Sequence, residues 1–189
     1  NQAGGVQLSQ GSEIIGALRT RQEILIWTDV GIVSMRFVGE PFIFSFTEVA
    51  EGQSLIAPNA AVSANNRVYF MDTGGFYVYS GSAEKLPCTV LDYVLSDLNL
   101  GQSFKIFAAV NNIANEVMWF YPSGTNTEID KYVLYNYLEN VWSIGTTDDG
   151  FTRTAWDEAS ILEYPIAASK NDSSNLNYVY NHEKGHGND

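Results

Sequence analysis

This chain has two histidines, and both sit in one pentapeptide, His182-Glu183-Lys184-Gly185-His186. The pattern H-E-x-x-H is that of zinc proteases. On a helix, two imidazoles one turn apart grip the metal, and the glutamate between them acts as general base for the bound water. That chemistry needs helical geometry and a third ligand downstream. Here the pentapeptide follows a strand-like run, Leu176 to Tyr180, contains Gly185, is bordered by Gly187, and has three residues after His186. It reads as a polar turn. His182, Glu183 and His186 are the candidates for a metal-dependent hydrolase, which is one alternative reading. The expectation from the residues is a non-enzymatic chain with no catalytic group, no metal and no cofactor.

A second motif lies upstream. Thr146-Thr147-Asp148-Asp149-Gly150-Phe151-Thr152 fits S/T-x-D-x-G-x-T, the Asp-box turn of sialidase-like propellers, with Arg153 where that motif carries an aromatic. Its content is structural: a carboxylate and hydroxyls bond to turn backbone while glycine supplies a φ that other residues disfavour. A sialidase also needs clustered arginines and a Tyr/Glu pair. The five arginines (Arg19, Arg21, Arg36, Arg67, Arg153) show no spacing that gathers three. Asp148-Asp149 and Asp157-Glu158 offer oxygens to a hard cation, but without EF-hand spacing. No G-x-S-x-G elbow and no phosphate loop occurs, and Gly4-Gly5 and Gly74-Gly75 precede no helix. The one cysteine, Cys88, excludes an internal disulfide and any multi-cysteine metal site.

The elements that must carry these residues are mostly strands. Runs of β-branched and aromatic residues, separated by Gly, Asn, Asp and Ser clusters, recur at Ile24–Thr28, Ile32–Val38, Phe42–Phe46, Val68–Met71, Phe76–Tyr79, Val117–Tyr121, Tyr132–Tyr137 and Asn177–Tyr180. One stretch is helical: Val90, Leu91, Val94, Leu95 and Leu98 fall at helical spacing over residues 89–98, with Thr89 placed as N-cap. Of 189 residues, 45% are hydrophobic and 17% charged, the composition of a packed domain rather than of disorder. Ten Lys+Arg against 22 Asp+Glu give a net charge of −12, which leaves no basic footprint for nucleic acid phosphates or anionic lipid. No apolar run approaches the roughly 20 residues of a membrane span.

The strands repeat. Ile26 to Met35 aligns with Phe70 to Tyr79 at a 44-residue offset (position 26 against 70), matching Gly31 to Gly75 as the turn of a hairpin. Ala61 to Asn66 followed by Arg67 to Met71 is echoed by Phe107 to Asn112 followed by Glu116 to Phe120, and again by Ile166 to Asn171 followed by Leu176 to Tyr180. Four such units, over residues 14–52, 53–87, 103–146 and 164–184, predict an all-β, β-propeller-like repeat of about four antiparallel blades with one short helix near 89–98. Residues 1–189 are then a single propeller-like domain, or an arc of a larger propeller within a longer protein.

Several ordered blocks resemble tail proteins of double-stranded DNA bacteriophages. They are Trp119-Phe120-Tyr121-Pro122-Ser123, Glu128 to Tyr137 and Val141 to Gly145, flanked by Ile24 to Asp29, Gly39 to Phe42, Leu86 to Val90 and Arg153 to Trp156. The resemblance spans roughly Ile14 to Gly185; Thr147 to Phe151 departs from it as an insertion. It implies a structural protein of the virion, of the tail nozzle, hub or tubular type, that assembles into a ring through which DNA passes without specific binding. Its partners would be other tail proteins and further copies of the parent chain. A glycan- or receptor-binding propeller is the alternative from a binding class, favoured by the surface aromatics and the Asp-box-like turn.

Overall fold

The computed structural model describes residues 13–147, 153–158, 164–170 and 177–182. They form four antiparallel sheets, each made of strands consecutive in sequence. The first holds β1 (Ile14–Arg19), β2 (Ile24–Thr28), β3 (Gly31–Phe37) and β4 (Phe44–Glu51); the second holds β5 (Ala61–Ala64), β6 (Arg67–Asp72), β7 (Gly75–Tyr79) and β8 (Ala83–Lys85). Next come α1 (Leu91–Asp97) and a 3-10 helix (Leu100–Lys105). The third sheet is β9 (Phe107–Asn111), β10 (Glu116–Tyr121), β11 (Lys131–Asn136) and β12 (Val141–Thr146), and the fourth is β13 (Ala155–Asp157), β14 (Ile166–Lys170) and β15 (Asn177–Asn181). The expected all-β class holds. The chain divides into two compact units after Cys88, each with two of the sheets.

Turn chemistry sets the hairpins. Asn65 and Asn66 both take positive φ, 47° and 59°, the left-handed pair that a tight two-residue hairpin requires, and asparagine tolerates it. Gly31 and Gly75, matched in the sequence, each open the second strand of a hairpin. Gly75 has φ 135°. Gly31 is needed for a different reason: a Cβ there would lie 2.5 Å from the Ala50 carbonyl oxygen, at the register shift between β3 and β4. Thr28 closes the same turn, its Oγ1 accepting from Gly31 N and donating to Gly31 O, both at 3.1 Å.

In the first unit the two sheets share a core of Leu25, Trp27, Ile32, Leu55, Val68, Phe70 and Tyr79, with Trp27 edge-on to Phe70 at 5.5 Å. In the second unit, Ala109, Met118, Phe120 and Ile129 pack with Phe107, Tyr132, Leu134 and Trp156 of β13. The alternate residues of β10, Val117, Trp119 and Tyr121, are fully buried too, so this strand is apolar on both faces.

Three elements differ from expectation, the first being β4, which begins at Phe44 rather than Phe42 and runs on to Glu51 rather than ending at Phe46. The helix is shorter than 89–98 and Thr89 does not cap it: Val90 is the N-cap and makes no side-chain bond. Helical structure instead resumes as the 3-10 segment, where Asn99 Oδ1 accepts from Gly101 N at 3.1 Å. The fourth sheet also takes in Ala155–Asp157, outside 164–184, which makes β14 a central strand where the repeat would put it at an edge.

Candidate functional site

The sequence placed Arg153 and His182 in two separate motifs, and the structure brings them together. β13 and β15 flank β14 and run in the same direction, so strand order alone does not bring Arg153, two residues before β13, to His182, just after β15; their side chains make the contact. Arg153 Nε donates to His182 Nε2 at 2.9 Å. The Arg153 guanidinium also lies over the Tyr180 ring at 4.5 Å, and the His182 ring packs on Trp156 at 4.7 Å. Burial lowers the His182 pKa from its ordinary value, and the Arg153 charge lowers it further. Both effects keep the imidazole neutral, as an acceptor must be at Nε2.

This arrangement gives the Nε2 lone pair to an arginine, so a metal could reach His182 only through Nδ1 or by displacing Arg153. Glu183 and His186 lie outside the described residues, as do Asp148, Asp149, Gly150, Phe151 and Thr152 of the Asp-box pattern. Among the described residues no group of three or more His, Cys, Asp or Glu is placed to hold a metal ion. Of the other acidic pair, Glu158 Oε2 accepts from Asn112 N at 2.8 Å and Asn112 Nδ2 at 3.1 Å, tying the end of β13 to the β9–β10 turn.

Two further polar clusters escaped the sequence reading because their members are far apart in the chain. In the first unit Glu23 accepts from Ser34 Oγ and from Arg36 Nε, the latter at 2.8 Å, with the buried Tyr79 hydroxyl beside them. Burial alone would raise the Glu23 pKa, but the bonds from Ser34 and Arg36 outweigh it and hold the carboxyl below its ordinary value. Burial raises the Tyr79 pKa, and Glu23 adds to the rise. A carboxylate held ionised and clamped by arginine is a poor proton donor, so Glu23 does not suit the general-acid role of a glycosidase. In the second unit Lys131 Nζ bonds Asp97 at 2.8 Å and Tyr93 OH at 3.0 Å, while Tyr121 OH donates to Asp97 at 3.3 Å. Asp130 secures the adjoining loop by accepting from Ser123 N, Ser123 Oγ and Asn126 Nδ2, all within 2.7 Å.

The asparagines that suit glycan recognition by type are occupied structurally. At one end of the third sheet Asn136 Oδ1 accepts from Leu138 N and Glu139 N, Asn140 Oδ1 from Tyr135 OH, and Asn111 Oδ1 from Ala114 N. Each holds a turn. Among the described residues no helix is long and apolar enough to cross a membrane. The protein was also compared with known families and curated proteins: no family model matches it, and no curated protein matches it.

Proposed function

We propose that this chain is a structural part of a double-stranded DNA bacteriophage tail, of the nozzle or hub type, acting by assembly and not by catalysis. Its four sheets are read as blades of a β-propeller, complete or an arc of a larger one, and its parent protein as a ring component of the virion through which DNA passes. The observation that carries this reading is the succession of four antiparallel sheets, each from a contiguous chain segment. A radial repeat is built this way, whereas a Greek-key sandwich exchanges strands between sheets. The ordered aromatic blocks of the sequence support the tail assignment. The net charge of −12 suits a wall that must not grip a passing polyanion. Within the polar clusters Glu23, Asp97 and Asp130 are each held by internal hydrogen bonds, which favours a structural role for these carboxylates.

Mass spectrometry of purified virions tests the assignment. The full-length parent is expected in the particle at a copy number matching a ring. Its absence from particles that eject DNA normally would end the proposal.

A further inference from the structure

β15 is an edge strand: β14 pairs with one side of it, and among the described residues no strand pairs with the other. His182 N donates to Pro165 O at 2.7 Å, in line with the β14–β15 register. Bonded pairs alternate along an antiparallel ladder. Tyr178 and Tyr180 therefore turn their N–H and C=O groups to β14, while those of Asn177, Val179 and Asn181 point out of the sheet. Such a row is a template for another strand, and edges are commonly guarded by charge. β4 is guarded in this way by Glu48 and Glu51, and β8 by Glu84 and Lys85. β15 has no charged residue, and Val179 at its centre is 70% exposed.

The order of its residues says what fits. Asn177-Tyr178-Val179-Tyr180-Asn181 reads the same in both directions. In a two-fold contact residue i meets residue j, and j meets i. Antiparallel self-pairing centred on Val179 uses the whole strand: it sets Val179 against Val179, Asn177 against Asn181 and Tyr178 against Tyr180. The outward N–H and C=O groups of one copy then meet those of the other in bonded pairs. β12 is uncharged too, but Val141-Trp142-Ser143-Ile144-Gly145-Thr146 has no such symmetry. We propose that β15 is the seam of a homodimer, two copies pairing antiparallel about a two-fold axis at Val179 so that their fourth sheets become one. The net charge of −12 opposes the approach of a second copy, yet residues 173–181 carry no charge, so no like charges face each other on the paired strands. A strand of a different protein would have no need of the symmetry. The contact does not depend on the tail assignment.

Sedimentation equilibrium and cysteine crosslinking of the full chain test it. The wild type is expected to form a dimer in a concentration-dependent way. Val179→Lys sets two cations face to face at the axis and should raise the dimer dissociation constant at least about tenfold, with an unchanged thermal unfolding midpoint. If that variant is unstable, Val179→Pro is read in its place, because the N–H it lacks lies on the open side of an edge strand and costs β14 no bond. Bonded antiparallel partners lie about 5.5 Å apart at Cα, within disulfide range. Oxidised Val179→Cys should therefore give a dimer in which peptide mapping finds position 179 of one copy joined to position 179 of the other. A chain that stays monomeric at all concentrations, a dissociation constant indifferent to the substitution, crosslinks only through Cys88, or a mixed disulfide only with a different protein in host lysate would each overturn the proposal.

Discussion

His182 shows how a residue that looks reactive in sequence is put to structural use. Its ring packs at a tilt against Trp156 and its Nε2 accepts from Arg153, so protonation would set a cation against the guanidinium. The folded pKa lies below the ordinary 6.5, so the unfolded chain takes up a proton first as pH falls. Stability from this residue is therefore full above about pH 6.5, declines toward the depressed native value, and is level below it. In urea titrations between pH 8 and 5, His182→Phe should lack this decline while costing about 1–3 kcal/mol at pH 7.5 through loss of the Arg153 acceptor. Parallel wild-type and variant curves would refute the assignment. Glu23 works in a lower window. Its native pKa is held below 4.5, so its contribution is present above that value and lost as pH falls through the native one. Glu23→Gln should remove this acid-limb dependence and leave the His182 window intact.

At the scale of elements, some positions are fixed by a neighbour that sequence does not reveal. A Cβ at Gly145 in β12 would overlap the Tyr132 ring, which lies across the glycine from β11 and packs on the core of the third sheet. Gly145→Ala should destabilise by about 1–3 kcal/mol through overpacking. In a Tyr132→Ala background most of that cost should vanish, and a double-mutant cycle by urea unfolding measures it. The hairpins at Gly31 and Gly75 were legible because turn residues and period-2 runs are local signals. The 3-10 helix was not, because Leu100-Gly101-Gln102-Ser103 carries no helical periodicity and its cap comes from Asn99. β13 was missed for a similar reason: three residues are too few to show alternation, and they are a strand only because β14 pairs with them.

For the whole molecule, the repeated strands matter through the cores they share. Phe70 is fully buried between Trp27 and Tyr77, at 5.5 and 5.3 Å, in the core common to the first two sheets. Phe70→Ala should cost about 3–5 kcal/mol, read as a lower urea midpoint. The charge balance makes a separate prediction. With a net charge of −12, the chain should not retard duplex DNA in gel shifts at physiological salt. Retardation there would contradict a passive wall.

The β class, the places of most strands, the repeat and the acid excess can all be read along the chain. These depend on local periodicity, turn residues and summed charge, and none requires knowing which segments meet. Which distant residues share a site is set by the fold: Glu23 with Tyr79, Lys131 with Asp97, and Arg153 with His182. The fold made His182, the first residue of the most reactive-looking motif, a hydrogen-bond acceptor. It also left the aromatics of the β3–β4 tip exposed, although their composition matches that of the core. Burial and partnership arise from packing between segments far apart in the chain, and no spacing rule along the sequence encodes them.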